Sequence, residues 1–97
     1  MKRDQALATL RTEKDRLSRD YGVKSLALFG SVARDEATAV SDVDLLVEFD
    51  RPTGLFGLFA LQDFLEQLLG CSVDLGTPDS LKPRFRSRVM AEVIRVN

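Results

Sequence analysis

The chain has 97 residues, of which 44% are hydrophobic, and its formal net charge is −1. This length suits one domain covering residues 1–97, and a charge this close to zero argues against general attraction to nucleic acid. The lone cysteine, Cys71, excludes an internal disulfide, and the absence of histidine excludes imidazole-based triads and zinc sites. The longest apolar run is too short to cross a bilayer. We therefore expect a cytoplasmic domain with neither a membrane nor nucleic acid as its direct partner.

The first third of the chain predicts a helix and then a strand. Apolar residues recur close to one face of a helix from Arg3 to Tyr21, and Gly22 is a suitable C-cap. The apolar run from Val23 to Phe29 predicts the first strand. This run stops at Gly30-Ser31, and a short helix and loop are predicted from Val32 to Val40.

A second strand is predicted from Asp42 to Phe49. The short connection favours antiparallel pairing, which brings Gly30-Ser31 beside the start of this strand. Side chains alternate faces along a strand, so Asp42 and Asp44 point the same way, about 6.6 Å apart along the chain. Two such carboxylates repel each other unless a cation lies between them. Oxygen ligands favour a hard ion, so we expect Mg²⁺, with Mn²⁺ as a substitute.

The residues after the first strand predict a phosphate site. Gly30 allows the backbone to approach a phosphate closely, and Ser31 is a suitable N-cap for a short helix. Free backbone N–H groups at a helix start bind anions. Arg34 is a further candidate for contacting the phosphates, and an ordinary surface position is its alternative. Together with the carboxylates, these residues predict a nucleoside triphosphate site.

The next helix is predicted from Leu55 to Leu69, with Gly70 as its C-cap. We expect its main leucine stripe to be buried against the sheet. Phe59 is also predicted to be buried, whereas Phe56 is left open between burial and a partner surface. The buried positions predicted for this helix are Leu58, Leu61, Leu65, Leu68 and Leu69.

A third strand, from Cys71 to Leu75, is expected to run parallel to the second because a helix connects the two. Cys71 is predicted to be a small buried hydrophobe. Asp74 lies within this short apolar run, where an acid is costly unless it is paired or bound to a metal. We therefore predict Asp74 as the third carboxylate, ahead of an edge position facing water. Asp63 and Asp79 are the rivals, better explained as a solvated helix position and a cap.

The last part of the chain predicts a loop and helix start at Thr77-Pro78-Asp79-Ser80, with Pro83 tolerated in the first turn, and a short strand from Glu92 to Val96. The segment from Lys82 to Arg88 is basic; a solvated face is the default explanation, and contact with a triphosphate or an acidic partner is the functional one. The predicted fold is therefore α/β, a small mixed sheet flanked by helices.

Gly30-Ser31, followed after ten residues by Asp42-x-Asp44, resembles the signature of the nucleotidyltransferase superfamily that includes DNA polymerase β. The short length and the C-terminal Leu81-Lys82-Pro83 resemble the minimal nucleotidyltransferases, the MNT antitoxins of HEPN–MNT toxin–antitoxin modules. One departure is Asp35, where many members have glycine. The resemblance implies a polymerase β-like nucleotidyltransferase fold and transfer of AMP from ATP to a tyrosine of a HEPN toxin.

In this hypothesis Asp42, Asp44 and Asp74 hold one or two Mg²⁺ ions, and Asp74 is a catalytic base or a ligand of the second ion. Gly30, Ser31 and Arg34 bind the nucleotide. The alternatives are a binding-only antitoxin that neutralises its toxin by complex formation, and a glycosyltransferase-like Asp-x-Asp site, for which the chain is short.

The chain has little surface to orient an acceptor, so we expect a partner or a second copy to supply it, as a hetero- or homo-oligomer. The basic segment and the exposed part of the Leu55 to Leu69 helix are the candidate docking surfaces.

Overall fold

The computed structural model describes residues 1–38 and 40–97 and has four strands flanked by helices. The predicted α/β class is confirmed. No helix among the described residues is long and apolar enough to cross a membrane. In chain order the elements are α1 (Arg3–Thr12), α2 (Lys14–Tyr21), β1 (Val23–Phe29), α3 (Gly30–Ala33), β2 (Val43–Phe49), α4 (Gly54–Leu69), β3 (Val73–Gly76), a 3₁₀ turn (Pro78–Ser80), α5 (Pro83–Glu92) and β4 (Ile94–Arg95).

The sheet is mixed, with the strand order β3-β2-β1-β4. Strand β1 is antiparallel to β2 and β4, whereas β2 is parallel to β3, because α4 carries the chain back along the sheet between them. Both predicted pairings of β2 are therefore confirmed. The last strand is shorter than predicted, since Glu92 belongs to α5, although the Val96 N–H still donates to the Leu26 carbonyl over 2.8 Å.

The predicted N-terminal helix is two helices that meet at Glu13. The Thr12 hydroxyl donates to the Thr9 carbonyl over 2.6 Å, and the Glu13 N–H instead donates to the Leu10 carbonyl over 3.1 Å. A threonine that bonds back to its own helix competes with the regular pattern and interrupts it. The predicted C-cap is confirmed, because Gly22 has a φ of +69°. The predicted loop from Val32 to Val40 contains Ala39, which lies outside the described residues.

The hydrophobic core lies on one face of the sheet, where α1, α2 and α4 cover it. Along β2 the side chains of Val43, Leu45 and Val47 are fully buried in this core. The opposite face of the same strand carries Asp44, which is half-buried, Leu46, which is buried, and Glu48, which is exposed. The prediction that one face of β2 packs the core is confirmed, and the prediction that the other face begins the site stays a prediction.

Helix α4 buries a narrower stripe than its sequence predicts. Leu61, Leu65 and Leu69 are buried, but Leu58 and Leu68 are only half-buried. The prediction for Phe59 is wrong, because 56% of its surface is exposed. Residues two apart on a helix point about 200° apart, so Phe59 points away from the face of Leu61. The position left open, Phe56, is 90% exposed. The remaining exception to predicted burial, Cys71, is half-buried and precedes β3.

Candidate active site

The three predicted carboxylates meet at one end of the sheet. Asp44 is the second residue of β2, and its neighbours across the sheet are Phe29 of β1 and Asp74 of β3. Adjacent strands lie about 4.8 Å apart, and paired residues of a parallel ladder point to the same face. Asp42 immediately precedes β2 and is exposed, as is Asp74. The register places Asp74 beside Asp44, as expected. Asp74 is nevertheless exposed on the edge strand β3, as its alternative of an edge position facing water also predicted, so its role as third carboxylate stays a prediction.

The pKa of Asp44 responds to the negative charge around it. The pKa of its carboxyl is raised to about 6, first by burial and then by the charges of Asp74 and Asp42. A hydrogen bond with Asp74 acts in the same direction, whereas the positive charge of Arg34 acts against it. A carboxyl group whose pKa is raised by burial and by neighbouring carboxylates marks a place where a cation would be stabilising.

The metal assignment is not decided by this geometry. Among residues 1–38 and 40–97, no three acidic, histidine or cysteine side chains have the arrangement of a formed metal centre. The assignment of Asp42, Asp44 and Asp74 as ligands therefore stays a prediction. The rivals lie elsewhere: Asp63 is exposed on α4 and accepts a hydrogen bond from Gln67, and Asp79 is exposed in the 3₁₀ turn.

The backbone at Gly30 lies close to the carboxylate of Asp44. Gly30 follows the β1 residue that pairs with Asp44, and its φ of +74° is a conformation that favours glycine. A Cβ at Gly30 would overlap Oδ2 of Asp44 and lie 3.0 Å from its Cγ. This position therefore requires glycine both for its backbone and for the space beside Asp44.

Ser31 is half-buried in the first turn of α3, which begins at Gly30, two residues earlier than predicted. The turn is held by main-chain bonds: the Arg34 N–H donates to the Gly30 carbonyl, and the Glu36 N–H donates to the Ser31 carbonyl over 2.8 Å. Ser31 therefore directly follows the glycine whose backbone lies close to the Asp44 carboxylate.

Arg34 is held by two carboxylates that the sequence analysis did not single out. Its Nε donates to Glu36 over 3.2 Å, and its Nη1 donates to Glu92 of α5 over 3.1 Å. The hydrogen bond to Glu36, followed by the charge of Glu92, raises the guanidinium pKa. Glu92 lies 58 residues from Arg34, so no local pattern predicts the pair. The predicted nucleotide contact of Arg34 stays a prediction.

Asp35 has a φ of +60°, in the left-handed region. Aspartate tolerates this region better than most side chains, and glycine adopts it freely. The Asp35 carboxylate also accepts a hydrogen bond from the Arg3 N–H over 3.2 Å. The backbone thus gives a physical reason why glycine would suit this position.

A separate cleft of about 310 Å³ lies at the far end of β2, lined by residues that include Glu48 and Phe49 together with Thr77, Pro78 and Asp79. Glu48 is four residues from Asp44, or about 13 Å along an extended strand. This cleft is therefore distinct from the carboxylate cluster.

A mixed sheet with Gly-Ser at the end of β1 and paired carboxylates at the start of the neighbouring β2 defines a nucleotidyltransferase-type site. Residues 10–96 match the family model described as the nucleotidyltransferase domain. The chain therefore belongs to this family and is a nucleotidyltransferase.

Three known proteins are similar to this chain in sequence or in fold. The chain is 40% identical to the protein adenylyltransferase MntA of Thermococcus cleftensis, over 90% of this chain and 88% of that protein. A solved structure described, provisionally, as a minimal nucleotidyltransferase superposes with a TM-score of 0.81 at 38% identity, covering 97% and 95% of the two chains. The predicted resemblance to the minimal nucleotidyltransferases is confirmed. A complex of a tri-AMPylated Shewanella oneidensis HEPN toxin with its MNT antitoxin shares the fold, with a TM-score of 0.65 at 19% identity over 94% of this chain and 71% of that one.

Proposed function

We propose that the protein transfers AMP from ATP to a tyrosine hydroxyl of a partner HEPN toxin, with Mg²⁺ bound, and thereby acts as a cytoplasmic antitoxin. The observation that carries this proposal is the convergence of Asp42, Asp44 and Asp74 at one sheet end, against the backbone of Gly30. The adenylyltransferase relative supports the choice of AMP. The AMP-modified toxin bound to a chain of the same fold supports the choice of partner.

The donor set fits a hard divalent cation. It consists of carboxylate oxygens alone, and burial, followed by repulsion from Asp74 and Asp42, raises the pKa of Asp44. Asp42 and Asp44 would hold one ion, and Asp74 would join Asp44 around a second, with Mn²⁺ able to replace Mg²⁺. When bound, the ion would neutralise charge on the triphosphate and on the departing pyrophosphate.

The residues of the chain supply positioning and proton transfer. The backbone beside Gly30 and the hydroxyl of Ser31 bind the phosphates. Arg34 adds positive charge when its guanidinium binds a phosphate in place of one of its two carboxylate partners. The tyrosine oxygen forms a bond to the α-phosphorus while the bond to pyrophosphate breaks. Asp74, exposed at the edge of the cluster, accepts the tyrosine proton.

The test is transfer of radioactive AMP from α-labelled ATP to a purified HEPN-type toxin, the proposed partner. We expect label on a toxin tyrosine with Mg²⁺ and none with EDTA. Asp44→Asn should abolish the transfer. Asp63→Asn is the matched control, because it removes an exposed carboxylate on α4 and should transfer as the wild type does.

The binding-only alternative predicts a different result. If Asp44→Asn silences the toxin as well as the wild type, and no label reaches the toxin in either case, neutralisation occurs by complex formation and the transferase proposal fails. Label from GTP or CTP at equal efficiency would overturn the assignment of ATP.

A further inference from the structure

Helix α5 differs from the other long helices because it buries none of its residues. By contrast, α1, α2 and α4 each bury at least one leucine. All residues from 83 to 88 are exposed. A helix without a buried face gains little from tertiary packing, which is the main source of helix stability in proteins. This leaves one side of α5 available for a contact outside the chain.

The exposed residues of α5 carry a concentrated positive charge. We use the term basic helix surface for Arg84 and Arg88, which lie four residues apart on one side of α5; Lys82 at its N-cap and Arg86 on another side add to the same positive charge. Among the described residues, none of these four side chains is in a salt bridge, whereas Arg16, Arg34 and Arg51 each pair with an acid. Residues 82–92 contain four basic and one acidic residue, while the remainder of the chain contains ten basic and fourteen acidic residues. The chain is therefore polarised, with its positive end at α5.

The helix that carries this surface ends close to the candidate active site. Helix α5 packs against α3, which contains Gly30 and Ser31. The ion pair between Glu92 and Arg34, 3.1 Å long, joins the last turn of α5 to the residue that follows α3. The charge of Arg34 acts on Asp44 in turn. A macromolecule bound to α5 would lie beside the groups proposed to carry out the transfer.

The composition of the surface favours a protein partner. Phe85 and Met90 are 43% and 45% exposed among the cations, and the Arg84 guanidinium lies 4.7 Å from the centre of the Phe85 ring. Arginine, methionine and phenylalanine are enriched in protein interfaces, where they combine apolar contact with charge. A polyanionic backbone would use the cations but leave the two apolar side chains without a contact, and the net charge of −1 opposes nucleic-acid binding.

The exposed apolar residues of α4 are less suited to acceptor docking. Leu55 and Phe56 follow the end of β2, whereas the carboxylates lie at its start. Asp44 and Phe49 are separated by about 16 Å of extended strand. A partner bound at the beginning of α4 would therefore lie at the other end of the sheet from the chemistry.

We propose that the basic helix surface docks an acidic surface of the acceptor protein and presents its hydroxyl to the carboxylates. This inference rests on the proposed function, since it names how the acceptor of that reaction is held. Charge complementarity of this kind acts mainly on the association rate and weakens with ionic strength.

The experiment measures binding of a purified HEPN-type toxin, the proposed acceptor protein, by biolayer interferometry without nucleotide and at 50 and 300 mM salt. The test variant is Arg84→Glu/Arg88→Glu. The matched control is Lys14→Glu/Lys24→Glu, which makes the same charge change at two exposed positions away from α5. We expect the test variant to weaken binding on the order of 10- to 100-fold at low salt, mostly in the association rate, and to lose most of the salt dependence. The control should stay within about threefold of wild type.

Circular dichroism and affinity for ATP with Mg²⁺ should match wild type in both variants, which separates docking from folding and from the nucleotide site. If the test variant binds the toxin like the control, the docking surface is overturned, whether or not AMP is transferred. If it loses toxin binding while the wild type binds but transfers no label, docking stands and the proposed function fails. Binding of a single-stranded RNA oligonucleotide through these arginines, in place of the toxin, would also overturn the proposal.

Discussion

The two faces of β2 have different roles: one packs into the core and stabilises the fold, and the other carries part of the candidate active site. On the inner face, Leu45 is fully buried among helix leucines, where its removal would leave a cavity. On the outer face, the neighbouring Asp44 is half-buried beside two other carboxylates, and its ionisation is disfavoured. Successive residues of one strand therefore have opposite energetic roles. The outer face carries a cluster of carboxylates that does not stabilise the folded protein. Such a cluster is typical of a site that binds a ligand.

The largest expected effect is on activity, from Asp44→Ala. We expect AMP transfer to fall by at least about 100-fold, close to 3 kcal/mol of barrier, because the proposed ligand of the ion is lost. The melting temperature should be unchanged or higher, since a repelled carboxylate is removed. Label transfer and thermal unfolding of the same sample measure both, with Asp63→Ala as control. Full activity in Asp44→Ala would remove the outer face from the site.

The inner face should respond in the opposite way to Leu45→Ala. Truncating a fully buried leucine costs about 2–5 kcal/mol of the free energy of unfolding. Denaturant titration measures this loss, and the residual folded fraction should keep its affinity for nucleotide. Leu55→Ala is the control, because Leu55 is 67% exposed. A loss at Leu55 equal to that at Leu45 would contradict the division between the faces.

Gly30→Ala tests the contact between the two strands at the site. A non-glycine residue at positive φ costs about 1–2 kcal/mol, and the new Cβ also overlaps the Asp44 carboxylate. We expect both a lower melting temperature and weaker nucleotide binding. Gly54→Ala is a matched control, since Gly54 has a φ of +63° but no neighbouring atom within 4 Å of the place a Cβ would take. It should lose stability alone; equal loss of nucleotide binding there would argue against a specific role for Gly30.

The charge cluster should also appear as a pH dependence of stability. Because the folded-state pKa of Asp44 is raised from 3.8 to about 6, the folded protein binds this proton more tightly than the unfolded chain does. Its contribution is therefore present below pH 3.8 and is lost as pH rises through about 6. We expect about 1 kcal/mol after allowing for solvent screening of a half-exposed group. Urea unfolding without divalent ions should show this difference between wild type and Asp44→Asn. Identical pH profiles would show that the pKa of Asp44 is not raised in the folded protein.

The smallest effect is expected at Asp35, on the loop next to the outer face. Asp35→Gly relieves a positive φ and should stabilise the protein by about 0.5 kcal/mol, after loss of the exposed bond from Arg3. Asp35→Ala keeps the unfavourable φ without the polar side chain and should destabilise it. Thermal unfolding of the pair measures the difference, and the reverse order would contradict a backbone explanation.

Several features of the fold were predictable because they depend on neighbours in sequence. Glycine C-caps, the alternation along β2 and the antiparallel pairing across a short connection all follow from local geometry, and the structure confirms them. The helix boundary at Glu13 was not predictable from periodicity, because the apolar pattern continues across it; just before it, the Thr12 hydroxyl donates to the Thr9 carbonyl. Phe59 was predicted wrongly since its helix is apolar on more than one side, and only the position of the sheet selects the buried side.

By itself, the sequence determined the α/β class, the family signature and the placement of Asp42 and Asp44 on one face, because each of these rests on short-range spacing. Only the tertiary structure decided that Asp74 pairs with Asp44, that Glu92 holds Arg34, and that α5 remains exposed beside the site. The first two contacts join residues 30 and 58 positions apart. Their geometry depends on how the strands and helices pack around the core, which no local pattern specifies.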